Sequence, residues 1–344
     1  AEYDGFLQMI RQEDYLSTQE ENSRAMRKLD LAQCVLSLPI LPPSAGVAQA
    51  CCITGFHDFK RGRRLESIRL YDRGLSIYRL LSAENPQCLY RYAAESGTIG
   101  FLMSATNEYQ PRSAELLRQA VAIWKRLEQE QPGKYRVEYA TACDNLGYQL
   151  SLSHDVATHR EAEAVLREAL AIRQQLYQQD PGRFRRDYAW TADNLGKVLT
   201  RDSGSFAEAE ELLRTALQLR EEMNRESGGK NISEVAWTCH NLGQLLAKKP
   251  EYAAEAEQCY RTSIRLRQKL EQLSPGTHAA DTSWVMFWLA ELLSHDPARH
   301  AETGELYCAA LEIQQKVEQE HPGMFVLNID RIRERYESFR NGIQ

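Results

Sequence analysis

The eight residues AWTADNLG at positions 189–196 recur as AWTCHNLG at 236–243, and a related version, ATACDNLG, lies at 140–147. Each copy ends in a Leu-Gly pair, and successive pairs are separated by 49 and 47 residues. Self-similarity at a fixed period of this length is typical of arrays in which one supersecondary unit is stacked repeatedly. These copies therefore predict a repeat architecture.

A second marker follows each Leu-Gly pair, and a proline closes each unit. The marker reads EAEAVLREAL at 161–170 and EAEELLRTAL at 208–217, and the proline lies in DPG at 180–182. Related segments occur along most of the chain. They predict five units from about 89 to 325 and a degenerate unit from about 46.

Each unit has the pattern of two helices. In the first, Ala192, Leu195, Gly196 and Leu199 follow the i, i+3, i+4, i+7 spacing of one apolar face. Ser205-x-x-Glu208 and Thr158-x-x-Glu161 have the sequence of capping boxes at the start of the second helix. Because a lone helix pair cannot cover its apolar faces, neighbouring pairs must stack. The pattern therefore predicts an all-α solenoid.

These markers resemble the tetratricopeptide repeat. A Leu-Gly pair is followed by two alanines seven residues apart, Ala162 and Ala169 or Ala209 and Ala216, and then by a proline. The usual unit has about 34 residues, and the longer unit of about 47 is similar to the kinesin-light-chain-like subclass. The resemblance covers about 280 of the 344 residues. It implies a right-handed α-solenoid of helix-turn-helix repeats that binds protein segments in a concave groove.

The predicted organisation has three parts: N-terminal capping helices and a Pro-rich linker at 1–45, the solenoid at 46–325, and a C-terminal capping helix at 326–344. The net charge of −6 argues against nucleic acid as the main partner. The chain has no run of eighteen apolar residues that could span a membrane. Its eight cysteines show no CxxC spacing. We expect them to be small buried side chains in a cytoplasmic protein.

A stripe of aromatic and amide residues lies away from the predicted core face of the first helices. Tryptophans recur 47 residues apart, and four residues after each comes an asparagine or a further tryptophan. Because residues four apart share a helix face, these side chains form one surface, and the resemblance places it in the groove. The predicted site comprises Asn145, Tyr148, Trp190, Asn194, Lys197, Trp237, Asn241, Gln244, Trp284 and Trp288.

Two interpretations of this stripe remain open. An asparagine column can donate to and accept from the backbone of an extended peptide whatever its sequence, while tryptophans supply apolar contact area. Alternatively, each tryptophan packs against the adjacent unit and each asparagine braces a helix end. The first interpretation predicts a protein or peptide ligand. A chaperone-type carboxylate clamp is disfavoured because the stripe lacks rows of Lys and Arg.

No pattern in the sequence predicts an enzyme, a cofactor or a metal site. SHDVATHRE at 153–161 and SHDPARHAE at 294–302 repeat a His-Asp-x3-His pattern, but they are three units apart and each offers too few ligands for a closed zinc site. We expect turns in which the Asp caps a helix. The basic run at 59–79 has seven Lys and Arg residues and could dock an acidic partner or nucleic acid.

The function predicted from the sequence is therefore a protein-interaction module. Two alternatives stay open at this point: the sensing or autoinhibitory part of a larger effector, as in bacterial signalling or defence proteins, and an oligomeric scaffold. The sequence does not identify the ligand or the oligomeric state.

Overall fold

A computed structural model describes residues 28–29, 32–33, 43–104, 109–153, 155–276, 278–320 and 326–343. Within these residues the regular structure is entirely helical, which confirms the predicted all-α array. The chain divides into two compact units, residues 1–149 and 150–344. The helices are α1 (Ala45–Lys60), α2 (Arg64–Leu81), α3 (Pro86–Ser104), α4 (Gln110–Glu130), α5 (Arg136–Ser151), α6 (Val156–Gln179), α7 (Pro181–Leu199), α8 (Phe206–Glu226), α9 (Ile232–Leu246), α10 (Ala253–Leu273), α11 (Ala279–Leu293), α12 (His300–Glu320) and α13 (Val326–Ile343).

In the first unit, α1 packs on α2 and α3 packs on α4. Each contact is close because a glycine of the first helix faces a small residue of the second. Ser67 Oγ donates to the carbonyl oxygen of Gly55 over 2.7 Å, and Ser113 Oγ donates to that of Gly100 over 2.6 Å. A Cβ on Gly100 would lie 2.8 Å from Leu117. The Gly positions of the repeat are therefore needed for helix approach.

In the second unit each helix from α6 to α13 packs against the next one, and α7 also contacts α9. We call α7, α9 and α11 the A helices and α8, α10 and α12 the B helices. The Leu of the repeated motif is buried in each A helix, at Leu195, Leu242 and Leu289. A Cβ on the following Gly196 would lie 2.7 Å from Leu213 of α8. The periodic apolar pattern therefore forms the core between A and B helices.

The turns explain where the helices begin. Asp180 ends α6 and caps α7, and Pro181 follows at the first helical position, where its missing N–H is not needed. The predicted capping boxes are wrong. Asp155 rather than Thr158 caps α6, accepting from the Thr158 backbone N–H. Ser205 makes no side-chain capping bond to α8 and instead donates to Asp202, because a 3-10 turn precedes that helix.

The last helix, α13, begins 47 residues after α11 and so occupies the next A-helix position of the period. Ile332 is buried in a cluster with Phe287 and Ala290 of α11 and Tyr307 of α12. The opposite side of α13 is charged and exposed. The segment predicted as a C-terminal cap is thus helical, whereas most of the predicted N-terminal region, 1–45, lies outside the described residues.

Candidate functional site

The predicted stripe is partly open on α7 and α9. Trp190 and Lys197 of α7, and Trp237 and Gln244 of α9, are half-buried. In each pair the two residues are seven positions apart, so they share a helix face. Gly196, which faces the partner helix α8, lies about 100–120° around the helix from Trp190 and Lys197. These four side chains are therefore available at the surface of two neighbouring A helices.

The asparagines between them are buried. Asn194 is 1% exposed and Asn241 is 2% exposed. The Nδ2 of Asn241 donates to Asp193 Oδ2 over 3.0 Å and thereby links α9 to α7. Neither polar atom of the Asn194 amide has a hydrogen-bond partner within the described residues. The two asparagines hold the same position in the repeat, but only Asn241 braces its neighbour.

A buried polar junction, formed by Asp193, Arg220, Thr238 and Asn241, joins α7, α8 and α9. Arg220 lies 3.5 Å from the Asp193 carboxylate and donates to Thr238 Oγ1 and to a backbone carbonyl oxygen of α9. Asp193 has no exposed surface and Arg220 is 1% exposed. Buried charges are tolerated where they are paired and hydrogen-bonded. This junction connects two A helices through the intervening B helix.

Sequence reasoning missed a column of arginines on α6, α8 and α10. Arg173, Arg220 and Arg267 recur at 47-residue intervals and all three are buried. Arg173 pairs with Asp187 over 2.9 Å and Arg267 with Asp281 over 2.7 Å, in each case on the next A helix. The sequence did contain a signal for these contacts, because an arginine recurs with the same 47-residue period as the core residues. Its regular spacing in helices with an apolar face indicates a repeated buried contact.

The same arginines support the tryptophans of the stripe. The guanidinium carbon of Arg220 lies 5.9 Å from the ring centre of Trp190, and that of Arg267 lies 5.9 Å from that of Trp237. Lys197 Nζ lies 5.5 Å from the centre of the Trp237 ring and thus bridges α7 and α9. Cation–π contacts of this kind fix ring orientation. The two tryptophans are therefore held in place while part of each remains exposed.

Burial also sets the charge state of the groups around the junction. It lowers the pKa of Lys197, an effect that the nearby Arg201 adds to and the Asp193 carboxylate opposes. His240 lies one position before Asn241, and burial together with the positive charges of Arg267 and Lys197 lowers its pKa to about 3. His240 is consequently neutral at physiological pH, so it adds no charge to this part of the stripe.

On α11 the side chains of the predicted stripe contact another helix, α13. Arg331 of α13 lies over both Trp284 and Trp288, with its guanidinium carbon 5.4 and 5.3 Å from their ring centres. Glu291 accepts from Arg335 of α13 over 2.9 Å. These aromatic and acidic side chains thus contact α13. The open part of the predicted stripe in this unit is on α7 and α9.

In the first unit, Asn145 and Tyr148 lie on α5 and are both half-buried. The Tyr148 ring centre is 6.1 Å from that of Phe101 on α3. This contact joins consecutive first helices of that unit, which resembles the bridging role of Lys197 and Trp237 in the second unit.

The His-Asp motifs form turns, as expected. Asp155 caps α6, and Asp296 accepts from the backbone N–H of Ala298 at the start of a 3-10 turn. Among the described residues no group of His, Cys, Asp or Glu side chains is arranged to hold a metal ion. None of the described helices combines the length and the apolar character that crossing a bilayer requires.

Comparisons with known proteins agree with this geometry. Residues 189–224, which cover most of α7 and α8, match the tetratricopeptide repeat family. No curated protein matches the sequence. The crystal structure of BtubC (BKLC) from P. vanneervenii is similar, with 16% sequence identity and a TM-score of 0.47 over 84% of this chain and 92% of that chain. The tetratricopeptide repeat is a non-catalytic fold for protein interaction. Since the matched segment is one A/B pair and its markers recur along the chain, the protein is tetratricopeptide-repeat-like.

Proposed function

We propose that the chain binds a peptide or protein segment on the surface formed by α7 and α9, with Trp190, Lys197, Trp237 and Gln244 as the contact residues. Tryptophan is the residue most enriched among those that dominate binding energy, because it offers a large rigid apolar area. The two tryptophans are fixed by arginines and by Lys197. Little side-chain freedom is therefore lost when a ligand contacts them.

The observation that carries the proposal is the amide of Asn194. It is buried, it lies four residues after Trp190 and three before Lys197, and neither of its polar atoms is bonded within the described residues. Buried polar atoms in proteins nearly always have a partner. The backbone of an extended segment offers the donor and the acceptor that this amide lacks, and the side chains that cover the amide must move aside before the two can pair.

The proposal can be tested by selecting peptides from a random display library and measuring the affinity of the best binder for variants. We expect Trp237→Ala to weaken binding by about 2 kcal/mol or more. Leu273→Ala is a matched control, since Leu273 is an exposed apolar side chain on α10 outside the stripe. It should leave the affinity unchanged. A library that yields no binder, or binders that lose nothing in Trp237→Ala, would contradict the proposal.

The variant Asn194→Ala tests whether this side chain binds the ligand or stabilises the contact between neighbouring helices. Because the amide makes no bond within the described protein, its removal should leave the melting temperature nearly unchanged, while binding weakens by about 0.5–1.5 kcal/mol. Asn241→Ala is the comparison, because it breaks the bond to Asp193 and should lower stability. If Asn194→Ala also destabilises the fold and the folded fraction binds at full strength, the amide has a bracing role.

A further inference from the structure

The exposed face of α2 differs from the exposed faces of the B helices α8, α10 and α12. Leu65, Arg69, Arg73, Arg79 and Leu80 are all exposed. Their positions along an ideal helix fall within an arc of about 120°, so they form one stripe. We call these five residues the α2 stripe. It lies in the first unit and has no part in the proposed peptide site.

The charges of the α2 stripe are unpaired. The guanidinium groups of Arg69, Arg73 and Arg79 make no ion pair or hydrogen bond within the described residues. The neighbouring Arg63 pairs with Asp58, and Asp72 pairs with Arg112. On the exposed faces of the later B helices several arginines are neutralised, although Arg225 and Arg265 have no ion pair within the described residues. Arg214, for example, bonds both Glu210 and Glu255. This face of α2 therefore carries three guanidinium groups without an acidic partner in the described residues.

Two of the three arginine positions carry the opposite charge on α8, and the third, Arg73, aligns with Thr215. Aligning ESIRLYDRGL at 66–75 with EAEELLRTAL at 208–217 places Arg69 opposite Glu211 and Arg79 opposite Glu221 of α8. Both glutamates are exposed. The positive charge is therefore not a requirement of the repeat, because the fold is built equally well with acidic residues at these positions.

Apolar side chains lie at both ends of the α2 stripe. Leu65 is 63% exposed and Leu80 is 65% exposed, and they account for two of the four large apolar side chains that stand exposed in the described chain. They are fifteen residues apart, which is about 22 Å along a helix. Isolated exposed leucines are common, but here two of them flank a cationic surface on one helix face.

We propose that the α2 stripe docks an acidic amphipathic helix of a partner protein. Its acidic residues would pair with Arg69, Arg73 and Arg79, and apolar residues about four turns apart would cover Leu65 and Leu80. The leucines favour a protein over a nucleic acid, because phosphate recognition uses cations and gains nothing from exposed aliphatic side chains. The net charge of −6 further disfavours nucleic acid.

The test uses the full chain and a fluorescent helical peptide of about eighteen residues, rich in glutamate, with one leucine near each end. Binding is measured by anisotropy at low and high salt. The triple variant Arg69→Glu, Arg73→Glu, Arg79→Glu should weaken binding by about tenfold or more. The corresponding triple Lys variant keeps the charge and should stay within about threefold of the native chain. Leu65→Ser with Leu80→Ser should weaken binding without changing its salt dependence.

All five residues are exposed, so each variant is expected to keep the native melting temperature, which circular dichroism verifies. The control is the charge reversal Arg225→Glu with Arg265→Glu, which changes exposed arginines of α8 and α10 outside the α2 stripe and should leave peptide affinity nearly unchanged. Peptide binding that is absent in the native chain, or unaffected by the glutamate triple, overturns the proposal. Binding of single-stranded RNA but not of the peptide would assign the α2 stripe to nucleic acid. Concentration-dependent dimers lost in the glutamate triple would assign it to self-association.

Discussion

Helices α9 and α13 occupy equivalent positions of the 47-residue period, and they differ on one face. The face that α9 turns to α10 carries Ala236, Cys239 and Gly243, all buried. Gly243 lies so close to Tyr260 that a Cβ there would be 2.9 Å from the ring. This face has small residues because a B helix packs on it.

On α13 the three equivalent residues are Asp330, Arg333 and Glu337, and all are exposed. Arg333 and Asp330 form an ion pair with each other. The other side of α13 keeps the apolar contacts of an A helix, through Ile329 and Ile332. The comparison shows that the side of α13 facing α11 and α12 follows the repeat, whereas the side equivalent to the B-helix contact of α9 carries charged, exposed residues.

The largest loss of stability is expected when Gly243 of α9 is replaced by glutamate, the residue that α13 has at the equivalent position, Glu337. Gly243→Glu brings a charged side chain against Tyr260 in a closed interface, so we expect the free energy of unfolding to fall by more than about 4 kcal/mol. The reverse change, Glu337→Gly, should cost only about 0.5–1 kcal/mol of helix propensity. Chemical denaturation of both variants measures the difference, and similar losses in the two would refute the comparison.

The second test concerns the polar contacts of each helix. Asp193→Ala leaves Arg220 buried without its carboxylate, and we expect a loss of about 3–5 kcal/mol. Arg335→Ala breaks the exposed pair between α13 and Glu291, which should cost about 1 kcal/mol or less. Thermal melts of the two proteins would show whether the junction between α7, α8 and α9 depends on its buried charges.

A pH series tests His240, whose equivalent on α13 is the exposed Glu334. The unfolded histidine titrates near 6.5, and burial lowers the folded pKa to about 3. Between these values the unfolded state binds a proton that the folded state does not, so stability is retained above pH 6.5 and lost as the pH falls. From pH 7 to pH 5 the native chain should lose about 2 kcal/mol more than His240→Phe. Phenylalanine is a suitable control because Phe287 holds this position in α11. Equal losses in the two proteins would contradict burial of His240.

The smallest expected difference between the two helices is in the rate at which the cysteine thiols beside them are alkylated. Burial raises the pKa of Cys239 in α9 to about 12 and that of Cys259 in α10 to about 11. Because only the thiolate reacts readily, both should resist alkylation in the native protein. Cys308, which contacts Tyr336 of α13, is only partly buried and should be alkylated before Cys239 and Cys259. Mass spectrometry of a brief alkylation would show the order, and faster labelling of Cys239 would indicate that α9 is less protected than the comparison implies.

The core positions of the repeated motif could be predicted from the sequence, whereas the polar contacts could not. Leu195, Leu242 and Gly196 are buried where the spacing placed them, because an apolar side chain needs only an apolar neighbour and the period supplies one. Thr158 and Ser205 were assigned to capping boxes and neither caps its helix. In each case a nearby aspartate, Asp155 or Asp202, takes the hydrogen bonds in a turn whose geometry the pattern of helices does not specify.

The sequence alone determined that the chain is an array of helix pairs and that the Leu-Gly positions of the repeated motif lie in its core. These properties follow from one local period repeated along the chain. Only the tertiary structure decided that Asn241 braces Asp193, that Asn194 is buried without a partner in the described chain, and that Arg220 supports Trp190. Hydrogen bonds depend on the distance and direction of single atoms. The partner of Asn241 lies 48 residues earlier in the chain, and no local pattern specifies that contact.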